Sequence, residues 1–402
     1  MKVLFTSHFL EFPAHGGPEL RITNTIKALS DVSDLFIINQ ITDSSKYNLL
    51  STQTFCEKYS HKYLTVNKKQ PKNNILKILY KILLKIFSIE PNNVSKEIIE
   101  FVKDNNIDVI WFGYGNISYP LIKSIRKSLP RIKIVCDTDS VWSRFISRSI
   151  PFSKGLRKLK IRLDAFVKAN EERWLVKICD ITTAVSEVDA EYYRSISKDQ
   201  NRIKIFSNVI DLCEYKKTTP PDNFKKPSVF LAGSFGSHSA MNTAASWLLD
   251  EVMPKVFDHI PDMHLYIVGK ASDLEFGNRQ NDNVTVTGRV ESVLPYLCNV
   301  NASLVPLNFE SGTRFKILEA AACKTPVIST TLGAEGIPAR NNYEILIADT
   351  SEEFAQAIIK VINDKNLIES LKENCYKLVQ RSYCVESLST EAEHILRILN
   401  ND

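Results

Sequence analysis

The sequence predicts an α/β protein made of two Rossmann-like domains, each with a parallel β-sheet that helices cover on both faces. The chain has 402 residues, of which 44% are hydrophobic and 24% are charged, and these values are ordinary for a globular protein of more than one domain. Short apolar runs alternate with stretches of helical spacing in two consecutive series, and a polar segment with two prolines separates the series. Continuous apolar runs indicate strands that are buried on both faces.

The first series of apolar runs predicts six buried strands in the N-terminal half. These runs are Val3–Phe5, Leu35–Ile38, Val109–Phe112, Ile132–Cys136, Ile181–Val185 and Ile203–Phe206. The stretches Glu19–Leu29 and Glu187–Arg194 have helical spacing. Because strands alternate with helices, we expect a parallel sheet.

The second series begins near residue 225 and predicts six more strands. They are Val229–Ala232, Leu265–Val268, Val284–Val286, Ala302–Pro306, Pro326–Ser329 and Ile345–Ala348. Helical spacing in Ser239–Phe257 and Arg314–Ala322 continues the alternation. This half of the chain therefore predicts a second parallel sheet.

The domain boundary is expected at the polar segment Lys216–Asn223, because it contains Pro220 and Pro221 and interrupts both patterns. We therefore predict an N-terminal domain over residues 1–215 and a C-terminal domain over residues 224–386. The last segment, about 387–402, has helical spacing, and we expect it to pack back on the N-terminal domain.

The N-terminus, the cysteines and the histidines predict a cytoplasmic protein without a metal. The apolar run after Met1 is too short for a signal peptide, and no uncharged apolar stretch reaches the length of a membrane span. The eight cysteines include no C-x-x-C pair, which favours reduced thiols. The seven histidines show no H-x-H or H-x-x-x-H spacing of a metal site.

Basic charge is concentrated in two segments, although the formal net charge is only +5. In Asn73–Phe87 and Lys154–Lys168, apolar and basic residues share one helical pattern. Such a pattern suits contact with an anionic membrane, which would be the inner face of the cell membrane. The alternative interpretation is a core helix with a solvated basic face. Nucleic acid is not an expected partner, because recognised binding motifs are absent and the rest of the chain is acidic.

Gly16 and Gly17 follow the first predicted strand and open a helix. Ligands of parallel sheets bind beyond the carboxyl ends of strands, and a helix N-terminus attracts anions. Paired glycines let the backbone approach a ligand closely, whereas a tight turn is the alternative interpretation.

Three further loops follow strands of the second domain. Ser234 lies in Gly233–Gly236, which is neither a G-x-G-x-x-G fingerprint nor a P-loop, so a nicotinamide cofactor is not expected. Lys270 follows a glycine after the next strand, and Arg289-Val290 follows a glycine after the third. Glycine at a strand end is common, and a purely structural turn is the alternative for each loop.

The segment from Ser311 to Glu319 carries the strongest signal for a ligand. A small-residue loop (Ser311, Gly312 and Thr313) leads into a helix whose free N–H groups can hold phosphate or sugar oxygens. Arg314 and Lys316 lie in the first turn, where positive charge opposes the helix dipole unless an anion lies in front of it. Glu319 follows, and its carboxylate can accept hydrogen bonds from two hydroxyl groups.

These residues resemble a motif of the family 4 glycosyltransferases. The sequence SGTRFKILEAAAC at Ser311–Cys323 is followed by PVIST at Pro326–Thr330 and by GAEG at Gly333–Gly336. Weaker matches extend along nearly the whole chain. The resemblance implies the GT-B fold, in which two Rossmann-like domains with parallel sheets face a central cleft.

The resemblance also implies transfer of a sugar from a nucleotide sugar, with retained anomeric configuration and no metal or other cofactor. Glu319 would hold the ribose hydroxyls, and Arg314 and Lys316 would neutralise the leaving diphosphate. The other residues expected to bind the donor are Gly16, Gly17, Ser234, Lys270, Arg289, Val290, Ser311, Gly312, Thr313 and Leu318.

The sequence departs from the family pattern at three places. Many relatives carry an arginine and a lysine after the first strand of the second domain, whereas Gly233–Asn242 has neither, so Arg314 and Lys316 would have to replace those charges. Many relatives have a second glutamate eight positions before the first, whereas this chain has Ser311 there and Glu310 one position away. A histidine often follows the strand that corresponds to Ile132–Cys136, whereas this chain has Asp137 and Asp139. Either aspartate is a candidate for contact with the donor sugar or the acceptor hydroxyl, and a helix cap or turn is the alternative.

The leading hypothesis is a hexosyl-type glycosyltransferase of cell-surface polysaccharide or lipopolysaccharide biosynthesis. Its partners would be a nucleoside-diphosphate sugar and a glycan or lipid-linked acceptor. Two alternatives stay open, namely a nucleotide-sugar 2-epimerase of the same architecture and a non-catalytic glycan-binding protein.

Overall fold

Two units of α/β structure make up the chain. The computed structural model describes residues 1–14, 16–41, 48–68, 93–237, 239–309 and 315–401. Unit 1 comprises Met1–Val209 and Val385–Asp402, and unit 2 comprises Ile210–Cys384. Within the described ranges, no helix combines the length and the apolar character that a membrane crossing requires.

Unit 1 contains a seven-stranded sheet in the order β3-β2-β1-β4-β5-β6-β7, and every neighbouring pair is parallel. Its strands are β1 (Lys2–Ser7), β2 (Asp34–Ile41), β3 (Lys62–Asn67), β4 (Val109–Gly113), β5 (Lys133–Asp137), β6 (Ile181–Ala184) and β7 (Ile203–Ile205). Its helices are α1 (Gly17–Val32), α2 (Leu49–Tyr59), α3 (Val94–Asn105), α4 (Tyr119–Ser128), α5 (Trp142–Arg148), α6 (Gly155–Ile178) and α7 (Glu187–Ile196).

Unit 2 contains a six-stranded sheet in the order β10-β9-β8-β11-β12-β13, which is also wholly parallel. Its strands are β8 (Ser228–Ala232), β9 (His264–Val268), β10 (Val284–Val286), β11 (Ala302–Val305), β12 (Val327–Ser329) and β13 (Leu346–Ile347). Its helices are α8 (Ala240–Trp247), which continues as a π-helical turn Leu248–Val252, then α9 (Met253–His259), α10 (Ser272–Phe276), α11 (Leu294–Leu297), α12 (Phe315–Ala322), α13 (Ser351–Asn363) and α14 (Lys365–Ser382).

The structure confirms the predicted two parallel-sheet domains and adds one strand to the first. Strand β3 at the sheet edge alternates between exposed and buried residues, with Val66 as its buried contact. It therefore lacks the continuous apolar run by which the other strands were predicted, because an edge strand needs burial only on one face.

Both sheets have a topological switch point, where the strand order reverses. In unit 1 it lies between β1 and β4, and in unit 2 it lies between β8 and β11. Loops that leave adjacent strands in opposite directions open a crevice at the carboxyl edge, and ligands of open α/β sheets bind there. The loops after β1 and β4, and those after β8 and β11, are therefore the positions at which such sheets bind ligands.

The chain segments near the domain boundary differ from the predicted assignment. Residues 210–215 belong to unit 2 rather than to the N-terminal domain, and the Ile210 N–H donates to the Tyr383 carbonyl there. The C-terminal helix α15 (Val385–Asn401) lies in unit 1, where Leu388 and Ile395 join the core that includes Ile22.

Candidate functional site

Glu319 lies on α12, the helix that follows the switch point of unit 2. Its side chain is half-buried, and its Oε1 accepts a hydrogen bond of 3.2 Å from the Tyr215 hydroxyl. Burial raises the pKa of Glu319, while the Lys316 charge and the Tyr215 hydrogen bond oppose that rise. The pKa of Tyr215 is also raised, mainly by burial and then by the Glu319 charge. Tyr215 therefore stays a hydrogen-bond donor, and it holds the carboxylate in place.

Helix α12 begins at Phe315, and the structure describes the chain from that residue onward. Ser311, Gly312, Thr313 and Arg314 lie outside the described residues, so their predicted roles remain predictions. Lys316 is half-buried one turn before Glu319. The side chain of Leu318 is fully buried in the hydrophobic core of unit 2, and the assignment of this residue to donor binding stays a prediction. An α-helix turns the side chains of adjacent residues by 100°, so Leu318 and Glu319 face different surroundings.

The loops after β8, β9 and β10 are joined by backbone hydrogen bonds. Gly233 N–H donates to the Val268 carbonyl, and Gly269 N–H donates to the Gly288 carbonyl, both at 3.0 Å. These contacts bring the predicted residues Ser234, Lys270, Arg289 and Val290 to the same edge of the sheet. Ser234, Lys270 and Arg289 are exposed, whereas Val290 is half-buried against the core. Three of the four side chains are thus accessible to a ligand.

Gly269 is required by this arrangement, and Gly269→Ala should destabilise unit 2. Its φ is +133°, and a Cβ atom there would lie 2.0 Å from the Gly233 carbonyl oxygen. Backbone strain of this kind costs roughly 1–3 kcal/mol, and the clash adds to it. Urea denaturation should show this loss. Gly277→Ala, at a glycine with open space around its Cβ position, is the control; equal effects of both substitutions would contradict the steric argument.

In unit 1, a buried ion pair joins Arg21 of α1 to Asp137 at the end of β5. Arg21 Nη1 also donates to Asn208 Oδ1 at 2.6 Å, and Nη2 donates to the Phe206 carbonyl at 3.1 Å. Asp137 Oδ1 accepts a second hydrogen bond of 2.7 Å from Thr183 Oγ1. Because Asp137 has no exposed surface, its carboxylate serves as an internal counter-ion in this structure.

Asp139 lies two residues further along and is partly accessible. Its Oδ1 accepts hydrogen bonds from Asn116 Nδ2 at 2.9 Å and from Trp142 Nε1 at 3.0 Å. Burial raises the pKa of Asp139, whereas the two hydrogen bonds and the Arg21 charge oppose the rise. Of the two candidate aspartates, Asp139 is therefore the one with a side chain that a ligand can reach.

The groups at the switch point of unit 1 itself follow β1 and β4. Gly16 and Gly17 are half-buried, and no side chain caps the N-terminus of α1. His8 Nε2 lies 3.4 Å from Ser118 Oγ. Burial, with a smaller effect of the Lys68 charge, lowers the pKa of His8 to about 3, so the imidazole is neutral at physiological pH. This edge of the sheet therefore carries a neutral histidine, His8, and the partly accessible carboxyl group of Asp139.

Three residues of these sites escaped prediction from sequence. Arg21 was visible as a charge just after the Gly16-Gly17 loop, but its partner lies 116 positions away. Tyr215 belongs to the segment predicted as the end of the other domain. His8 follows β1 without any neighbouring motif. Within the described part of the chain, no group of three or more His, Cys, Asp or Glu side chains is arranged to hold a metal ion.

Comparison with protein families gives one match. Residues 226–364 match the family described as glycosyl transferases group 1. This segment lies within unit 2 and includes Glu319.

One curated relative matches a part of the chain. It is a Klebsiella pneumoniae protein described as an uncharacterized 44.6 kDa protein in the cps region, and it is 26% identical over 149 residues. The match covers 34% of this chain and 38% of the relative, so this chain spans well under half of the relative's length.

Solved structures resemble the chain over its whole length. Alr3699/HepE of Anabaena, solved in complex with UDP-glucose, has a TM-score of 0.66 at 14% identity and covers 100% of both chains. Sucrose-phosphate synthase of Thermosynechococcus elongatus has a TM-score of 0.71 at 15% identity and covers 100% of this chain and 99% of its own. The likeness confirms the predicted GT-B fold.

Proposed function

We propose that this protein is a retaining, metal-independent glycosyltransferase that uses a nucleoside-diphosphate sugar as donor. The observation that carries the proposal is the position of Glu319. It stands half-buried after the switch point of unit 2, inside the segment that matches the group 1 glycosyl transferases. The similarity to a structure solved with UDP-glucose supports a nucleotide sugar as the ligand class.

The proposed chemistry assigns the donor to unit 2. Breaking the glycosyl–phosphate bond builds negative charge on the leaving diphosphate, and preorganised cations and N–H dipoles stabilise such charge. We assign that task to Arg314, Lys316 and the loop Ser311–Thr313. Glu319 would accept hydrogen bonds from the ribose hydroxyls, while Ser234, Lys270 and Arg289 would border the nucleotide at the same sheet edge.

In unit 1 we assign contact with the transferred sugar or the acceptor hydroxyl to Asp139 rather than Asp137. Asp139 is partly accessible, and burial raises its pKa above that of an ordinary aspartate. Asp137 instead stabilises the loop after β5 through Arg21.

The acceptor proposed is a growing glycan or lipid-linked glycan of a cell-surface polysaccharide, and the sugar transferred is a hexose. The relative from the cps region of Klebsiella pneumoniae supports this class of pathway. We place the enzyme in the cytoplasm, as the cysteine usage of the sequence predicts.

The test is a panel of UDP-, GDP-, ADP- and dTDP-linked hexoses with the purified chain. We expect one donor to raise the melting temperature and to release its nucleoside diphosphate slowly, with unchanged release in the presence of a chelator. NMR of the product should show the anomeric configuration of the donor. An isomerised donor would instead establish an epimerase, and stabilisation by glycans alone would establish a binding protein.

A further inference from the structure

Helix α6 of unit 1 exposes a stripe of large apolar side chains. The α6 stripe consists of Leu156, Leu159, Leu163 and Phe166, with exposed fractions of 88%, 65%, 60% and 63%. Their spacings of three, four and three residues place them on one face of the helix. Monomeric proteins rarely leave such a contiguous apolar surface in water unless it binds something.

The opposite face of α6 holds the helix against unit 1. Ala165, Leu175 and Val176 are buried on that face. Glu172 is also buried there, and its carboxylate accepts hydrogen bonds from the Ser143 N–H at 3.0 Å and from the Ser143 hydroxyl at 2.5 Å. The helix is therefore anchored by one face, and the α6 stripe is presented to solvent by the other.

Basic residues border the α6 stripe on both sides. At 100° per residue, Lys160 falls on one flank of the stripe and Arg162 on the other. Both side chains are exposed. The segment 154–168 has six Lys or Arg residues and one acidic residue, Asp164. A cationic border around an apolar stripe matches a surface whose headgroups are anionic and whose interior is apolar.

Trp174 lies on the same face of α6, about two turns beyond Phe166 and past the polar Asn170. Its ring is half-exposed, and Lys177 Nζ lies 4.6 Å from the ring centroid. Tryptophan with a neighbouring cation is typical of the interface between membrane and water, because the ring is apolar while its N–H remains polar.

The charge and the apolar character of this surface argue against two other partners, a second copy of the chain and a nucleic acid. A second copy packed through the same face would bring Lys160 and Arg162 of both copies together, and like charges at an interface are unfavourable. A nucleic acid would meet the cations but gain little from exposed leucines, because its recognition relies on phosphate contacts and aromatic stacking.

We infer that α6 is a membrane-adsorbing helix, which lies on an anionic lipid surface with the α6 stripe inserted among the acyl chains. The inference goes beyond the proposed function, because it holds whatever donor and acceptor the protein uses. It places unit 1, with Asp139, beside a membrane: Lys168 of α6 donates to the Asn116 carbonyl at 2.7 Å, and Asn116 contacts Asp139.

The test is flotation of the full chain with vesicles of phosphatidylcholine alone and with vesicles containing about one-third phosphatidylglycerol. We expect binding only to the anionic vesicles, and we expect it to weaken as salt rises. The double variant Leu156→Ser/Leu163→Ser should lower the bound fraction roughly tenfold or more. Leu50→Ser, at a leucine of unit 1 that is 76% exposed outside the stripe, is the matched control and should bind as the parent does.

Two further measurements complete the test. Trp174 fluorescence should shift to the blue with anionic vesicles, and the variant Trp174→Phe should lack the shift. Absence of binding to anionic vesicles, or equal binding by the double variant and the parent, would overturn the inference. So would a parent dimer that the double variant converts to a monomer, because the stripe would then be covered by a second copy. None of these measurements uses a nucleotide sugar, so they are independent of the enzymatic assay.

Discussion

Replacing Glu319 by alanine should lower kcat/KM for the nucleotide-sugar donor by roughly 100- to 10,000-fold without unfolding unit 2. Each hydrogen bond to a charged acceptor contributes about 1.5–3 kcal/mol, and the proposed carboxylate accepts two from the ribose. The side chain is half-buried and contacts Tyr215, so its removal creates no large core cavity. The measurement is steady-state release of nucleoside diphosphate, with melting temperature as the check on folding.

Two further variants test whether the negative charge of Glu319 is needed and whether the effect is specific to this position. Glu319→Gln keeps one acceptor oxygen and should retain part of the activity. Glu369→Ala, at an exposed glutamate of α14 in the same unit, is the matched control and should behave as the parent. Full activity of Glu319→Ala would show that donor binding does not use this carboxylate.

The pH dependence of the donor KM tests the role of Glu319 independently of its replacement by alanine. Burial raises the pKa of Glu319, so its carboxylate is protonated at a higher pH than an ordinary glutamate. Donor KM should therefore rise as pH falls through this raised pKa. The Tyr215 hydroxyl favours the ionised form, and Tyr215→Phe should move the rise in KM to still higher pH. A shift in the opposite direction would contradict the assigned hydrogen bond.

The fold could be predicted from sequence because burial leaves a local pattern. Strands such as β1 and β4 are covered on both faces, so their residues form continuous apolar runs. Strand β3 was missed because its exposed residues alternate with buried ones at the sheet edge. The assignment of residues 210–215 failed for a different reason. The hydrogen bond between Ile210 and Tyr383 joins residues that are separated by most of a domain in the sequence. The local composition around residue 210 therefore cannot predict it.

The candidate site was predictable only where a motif is contiguous. Glu319 and Lys316 belong to one short segment, so their shared location followed from the sequence. Asp137 and Asp139 could not be told apart, because the difference depends on Arg21, which the fold brings to Asp137 from another element. Leu318 was predicted to bind the donor as part of the same motif, and the sequence did not show that its side chain points into the core.

Replacing Arg21 by methionine should destabilise unit 1 by about 3–5 kcal/mol, the cost of breaking a buried ion pair on one side. Arg21 and Asp137 are both fully buried, and Asp137 would keep only the hydrogen bond from Thr183 Oγ1. The carbonyls of Phe206 and Thr138 would also lose their bonds from Nη2. Methionine fills most of the volume, so the loss reports the charge and the hydrogen bonds rather than a cavity.

Urea denaturation in a Trp247→Phe background measures this effect in unit 1, because Trp111, Trp142 and Trp174 all lie there. The double variant Arg21→Met/Asp137→Asn should be more stable than Arg21→Met alone, since the second change removes the uncompensated charge and keeps an acceptor for Thr183. Arg279→Met, which breaks the exposed ion pair with Asp250 in unit 2, should cost less than about 1 kcal/mol. Trp247 is the one tryptophan in the sequence of unit 2, and the background variant lacks it. Unfolding of the Arg279→Met control is therefore followed by circular dichroism. If Arg21→Met cost no more than Arg279→Met, the buried pair would not be what holds the loop after β5, and the distinction between Asp137 and Asp139 would lose its physical basis.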